Sequence, residues 1–205
     1  MGGTVIRSFA APANSPTGLA FDGRCLWVLC RATGRHYQVD PATGNVIRSL
    51  AQAAAGAYGV AFDGRCLWEV NNTQQKLYQV DIVTGTVIRS FAAPDTSPYN
   101  ACFDGRLLWV VGDTANKLYQ VDPATGVTIR SIAAPGAVPD GVAFDGRCLW
   151  TQDYTLKTIY QVDIVTGKVI RSFAAPANTP EGLTWDGRTL WTSDTGTHKI
   201  YQVSV

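Results

Sequence analysis

Short runs of β-branched and apolar residues with polar residues interspersed, separated by clusters of turn residues, occupy the chain from end to end. The first is Val5 to Phe9, followed after an Ala- and Pro-rich loop by Gly18 to Phe21, then Cys25 to Val28, then His36 to Val39. This pattern predicts four short β-strands. Asp22-Gly23 between the second and third runs predicts a hairpin closed by a type I′ turn, in which both central residues need positive φ. Asp40 to Gly44 predicts a second turn, with Asp and Thr side chains bonding its backbone and Gly in the left-handed region.

The whole arrangement then repeats. Phe21-Asp22-Gly23-Arg24-Cys25-Leu26-Trp27 returns at Phe62, Phe103, Phe144 and Trp185, a period of 41 residues that fills the 205-residue chain five times without insertion or deletion. The units are about residues 1–41, 42–82, 83–123, 124–164 and 165–205 of one domain. Four antiparallel strands in about 40 residues are the blade of a β-propeller, so the expected fold is all-β with five blades. The chain opens with an outermost strand and stops after a third strand at Tyr201 to Val205. The N-terminal strand is therefore expected to complete the last blade, closing the ring and covering two sheet edges.

The run Tyr78 to Phe91 (YQVDIVTGTVIRSF) and the run Ala61 to Trp68 (AFDGRCLW) resemble NHL, YVTN and quinoprotein-type propeller repeats over the whole chain. Such repeats serve sensors, scaffolds, lectin-like binders and enzymes alike. Five blades with a D-x-x-T-G turn also resemble plant-type glutaminyl cyclases. That resemblance implies a catalytic role for Glu69, although the family's Tyr-Glu-Ser-Thr reads Trp68-Glu69-Val70-Asn71 here.

Composition narrows the partners. With 17 basic against 16 acidic residues the net charge is +1, which supplies no field for nucleic acid or an anionic membrane. No apolar stretch approaches the roughly 18 residues of a membrane span, and the first residues lack the regions of a signal peptide. The expectation is a soluble monomer, cytoplasmic if the chain is complete. Cys25, Cys66 and Cys148 share one column of the repeat, too far apart for disulfides and without metal-ligand spacing, so all five cysteines are expected as structural thiols. No cofactor or metal is expected.

Comparing the repeats with one another separates a constant framework from two variable segments, which an up-and-down blade places on the same face of the disc. Nine of the sixteen acidic residues lie in framework turns. The other seven, Glu69, Asp95, Asp113, Asp140, Asp153, Glu181 and Asp194, lie in variable segments, as do Tyr58, Tyr99 and Tyr154. Thr17, Tyr58, Tyr99, Asp140 and Glu181 share a column just before the innermost strand and are expected to ring the tunnel mouth. With Asp113, Asp153 and Asp194 they form the candidate ligand site, for a glycan or a peptide. The competing expectations are solvated loops on a recently amplified or engineered scaffold with no ligand, and an enzyme of glutaminyl-cyclase type. Gly18, Gly59, Gly141 and Gly182, matched by Asn100, are expected to need positive φ. His36 and His198 fall in blades that ring closure makes neighbours, which leaves a paired role open.

Overall fold

The computed structural model describes residues 2–205. Twenty strands form five four-stranded antiparallel sheets around a central axis. Blade one is β2 (Pro16–Phe21), β3 (Leu26–Cys30), β4 (Arg35–Val39) and β5 (Val46–Ala51), from the axis outward. Blade two is β6 (Ala57–Phe62), β7 (Cys66–Asn71), β8 (Lys76–Asp81) and β9 (Val87–Ala92). Blade three is β10 (Pro98–Phe103), β11 (Leu108–Gly112), β12 (Lys117–Val121) and β13 (Thr128–Ala133). Blade four is β14 (Pro139–Phe144), β15 (Cys148–Asp153), β16 (Thr158–Asp163) and β17 (Val169–Ala174).

Blade five holds β18 (Pro180–Trp185), β19 (Leu190–Asp194) and β20 (Lys199–Val203), and its outer edge is taken by β1 (Val5–Ala10). Phe9 lies opposite Ile200 and Ala10 opposite Lys199. Flanking bonds from Gly3 N–H to Ser204 O (2.9 Å) and from Ala11 N–H to His198 O (2.8 Å) extend the closure. The expected five-bladed ring and its N-terminal clasp are both present.

The core is a set of seams between blades. Trp27 and Leu29 of blade one pack with Ala57, Val60, Leu67 and Val80 of blade two, and Trp191 of blade five packs with Leu19, Leu26 and Val28 of blade one. The tryptophan on the second strand from the axis of every blade is buried. Its indole N–H donates to the aspartate of the hairpin before it: Trp27 to Asp22 (2.9 Å), Trp68 to Asp63 (2.7 Å), Trp109 to Asp104 (2.9 Å), Trp150 to Asp145 (2.8 Å) and Trp191 to Asp186 (2.8 Å). A large ring is thus buried without an unpaired donor.

The network continues outward: Gln38 Nε2 donates to Asp22, Arg48 Nε donates to Gln38 Oε1 at 2.8 Å, and the Arg48 guanidinium lies 5.1 Å from the Trp27 ring centroid. Blade five is the exception. Arg7 on β1 reaches the Pro41 and Ala42 carbonyls as Arg48 reaches that of Val83, but it does not bond Gln202, whose Oε1 has no partner.

Two expectations about backbone need correction. Asp22-Gly23 is not a type I′ turn, because Gly23 has φ 92° while Asp22 is not left-handed. The Asp22 carboxylate instead accepts from the amides of Arg24 (2.9 Å) and Cys25 (2.6 Å), so the side chain organises the turn. Nor do Gly18, Gly59, Asn100, Gly141 and Gly182 adopt positive φ. Their column is small because neighbouring innermost strands nearly touch around the axis. A methyl group on Gly18 would lie 2.9 Å from the Val60 nitrogen, and one on Gly182 would lie 2.9 Å from the Leu19 nitrogen.

Candidate functional site

Thr17, Tyr58, Tyr99, Asp140 and Glu181 do ring one end of the tunnel, as second residues of β2, β6, β10, β14 and β18 rather than as loop residues before them. In every blade the pairing with the next strand slips at this point, as between Pro16 and Gly18 or between Pro139 and Val142. The bulge carries the extra side chain off the normal alternation and turns it toward the tunnel mouth.

Tyr58 and Tyr99 pack edge to face with ring centroids 5.0 Å apart, and both are half-buried. The Arg31 guanidinium lies 4.0 Å from the Tyr58 centroid and donates to the Tyr58 hydroxyl. Burial pushes the Tyr99 phenol up to about 12 and raises that of Tyr58. Next to the tyrosines in the ring, Asn100 Nδ2 crosses from blade three to the Thr17 carbonyl of blade one at 3.0 Å.

Opposite the tyrosines lie two carboxyls from adjacent blades. Asp140 is 4% exposed, and burial, reinforced by Glu181 and Asp113, holds it well above the usual carboxylate range. Glu181 accepts from Thr195 Oγ1 at 2.9 Å, and burial lifts it to about 7 despite the opposing effects of Thr195 and Arg31. Around this end, Thr17 Oγ1, Asn100 Oδ1, Asp140 Oδ1 and Glu181 Oε2 are buried and have no hydrogen-bond partner among the described residues. Four unpartnered oxygens, one of them a hydroxyl that can also donate, gather at one end of one tunnel, against the usual satisfaction of buried polar groups.

The remaining candidates divide. Asp113 follows β11 at the rim, half-buried, its carboxyl raised by burial and by Asp95. Asp153 and Asp194 are engaged by backbone amides of the adjoining loops. Asp153 accepts from the amides of Ala137 (2.7 Å), Val138 (2.7 Å) and Leu156 (2.5 Å), and Asp194 from those of Thr179 (2.6 Å) and Thr197 (2.7 Å). Both brace the incoming loop against the loop that follows, where a charged side chain satisfies amides that no strand can reach. Glu69 lies within β7, fully buried, bonded to His36 Nε2 and to the Ala53 amide. His198 does not pair with His36; it occupies the left-handed position of its turn, φ 53°.

Sequence comparison missed Arg31 and Thr195, although both share the variable column of Asp113 and Tyr154. It also assigned Asn100 to backbone geometry. Among the described residues no group of three or more His, Cys, Asp or Glu is placed to hold a metal ion, and no helix is long and apolar enough to cross a membrane.

Fold and closure define the chain as a five-bladed β-propeller. No protein-family model matches it, and a search of curated proteins finds no sequence match. Among solved structures it is similar to Myxococcus xanthus glutaminyl cyclase, with 14% identity and a TM-score of 0.81 over 98% of this chain and 95% of that one. It is also similar to the Cps50 (Swd1) β-propeller domain of Myceliophteria thermophila, with 14% identity, a TM-score of 0.63 and 99% of each chain covered. Staphylococcus aureus virginiamycin B lyase gives 19% identity and a TM-score of 0.59 over 96% of this chain and 68% of that one. At these identities the likeness concerns the fold.

Proposed function

We propose that the protein is a non-enzymatic binding propeller whose ligand, a glycan or a peptide, docks at the polar tunnel mouth around Tyr58, Tyr99, Asp140 and Glu181. The observation that carries this reading is the set of four buried, unpartnered oxygens beside a tyrosine pair. Four such oxygens gathered at one end of the tunnel suit a ligand that brings donors. The test is a screen of glycan and peptide arrays with wild-type protein and a Tyr99→Ala variant. Ligands lost on substitution support the reading, and an absence of ligands turns it to a scaffold.

The second reading, cyclisation of N-terminal glutamine, draws on the likeness to the Myxococcus enzyme. It is weakened by the burial of Glu69 against His36, which leaves that carboxylate no contact with solvent. Release of ammonia from a glutaminyl peptide, abolished by Glu69→Gln, would reinstate it.

A further inference from the structure

Resting on that binding reading, we propose that the polar end of the tunnel is a pocket for the primary ammonium of a lysine side chain presented by a peptide.

The chemistry follows from what the pocket lacks. Asn100 Oδ1 and ionised carboxylate oxygens of Asp140 and Glu181 only accept, and the Thr17 hydroxyl has free lone pairs. The complement is a group with several donors and no acceptor. A lysine ammonium has three donors on one compact centre. A sugar hydroxyl brings acceptor lone pairs that would in turn be buried unsatisfied. For a metal ion, no three His, Cys, Asp or Glu side chains among the described residues are placed to share one.

Depth selects the stem. Thr17, Asn100 and Asp140 are 2%, 1% and 4% exposed, beside the edge-to-face pair of Tyr58 and Tyr99. An unbranched four-carbon stem laid along the flank of the tyrosine pair buries its methylenes against the rings. A peptide α-amine, with a backbone and side chain on the adjacent carbon, cannot reach as far.

Charge agrees. Glu181 faces Arg31 and Asp194, and Asp140 faces Glu181, Asp113 and Asp153, so Arg31 is the cation set against five carboxyls. Arg31 is held against Tyr58 at the rim. With Glu181 titrating at about 7 and Asp140 above the usual range, an arriving ammonium displaces protons, and affinity rises as pH increases through 7.

The experiment is calorimetric titration with an N-acetylated, C-amidated Gly-Gly-Lys-Gly-Gly peptide at pH 6 and pH 8. Parallel titrations use the norleucine analogue, a lysine-free peptide with a free N-terminus, and calcium chloride. The expected result is binding of the lysine peptide alone, tighter at pH 8 by about tenfold, with Asp140→Asn and Glu181→Gln each weakening it tenfold or more. Thermal melts of both variants establish that they fold, and both are expected at or above the wild-type Tm. Equal binding of norleucine, or binding of the free α-amine or of calcium in its place, overturns the lysine assignment. A Tyr99-dependent ligand lacking lysine, found while the lysine peptide fails, overturns this inference and leaves the binding reading standing; silence from every probe and array overturns both.

Discussion

Glu69 Oε2 lies 2.9 Å from His36 Nε2, and neither side chain is exposed to solvent. The same oxygen accepts the Ala53 amide at 2.7 Å. Elsewhere in the repeat the Ala53 position is Pro12, Pro94, Pro135 or Pro176, none of which has an N–H, and the His36 position is Leu77, Leu118, Ile159 or Ile200. Three deviations in blades one and two therefore form one unit. Glu69→Val alone leaves an imidazole and an amide buried without a partner and is expected to cost about 3–5 kcal/mol. The triple variant Glu69→Val, His36→Leu, Ala53→Pro restores the repeat and should match or exceed wild type. Urea denaturation of both variants checks it; an additive loss in the triple would show that the three positions are independent.

A second exchange joins Asp95 and Gly112. In blades two, four and five the last residue of the second strand from the axis is Asn71, Asp153 or Asp194, and the repeat position of Asp95 in the preceding loop is Ala54, Gly136 or Ala177. Blade three reverses the order. Its strand ends in Gly112, where a methyl group would lie 2.6 Å from the Asp95 carboxyl carbon, and Asp95 itself accepts from the amides of Ser97 (2.9 Å) and Ala115 (3.2 Å). Asp95→Ala should cost about 1–3 kcal/mol, and Gly112→Asp alone should also destabilise by collision with Asp95. Together they should recover most of the loss. A double-mutant cycle by thermal melting measures this, and a coupling energy near zero would remove the claimed relocation of the brace.

These exchanges explain where sequence reading succeeded and where it stopped. The five-fold return of Phe21 to Trp27 carried the blade count, strand order and closure by β1, because each depends on residues that repeat. The tunnel-mouth ring was also legible, since a column of Thr, Tyr, Tyr, Asp and Glu departs visibly from a constant frame. What Asp153 and Asp194 do was not legible. Their variability resembles that of Asp140, and only the distances to loop amides separate a brace from a ligand-facing carboxyl. Gly18 and Gly23 show the same limit: both are glycine, one for lack of space and the other for φ.

That contrast can be measured. Gly18 and Gly59 face the neighbouring innermost strand with no room for a methyl group, whereas Gly23 has open space and φ 92°. Gly59→Ala must push apart the backbones of β6 and β10 and should cost more than about 3 kcal/mol. Gly23→Ala meets only the left-handed penalty, about 1–2 kcal/mol. Chemical denaturation of the two variants should rank them in that order; equal losses would mean that the tunnel strands can separate without penalty.

The two carboxyls at the mouth set the direction of the pH dependence. Burial raises Glu181 from 4.5 to about 7 and places Asp140 well above its usual range. Each group binds its proton more tightly in the folded protein than in the unfolded chain. The native state therefore holds more protons than the unfolded state between the two values, and stability falls as pH rises through that interval. For Glu181 the loss accumulates between about pH 4.5 and 7 and is complete above it. Discounted for its partial exposure, it amounts to about 2 kcal/mol. Glu181→Gln keeps an acceptor for the Thr195 hydroxyl and removes the titration, so its stability profile should be flatter than that of wild type across this window. Melting curves from pH 5 to 8 decide the matter: wild type should lose several degrees relative to the variant, and parallel profiles would mean that Glu181 ionises in the folded state as easily as in water.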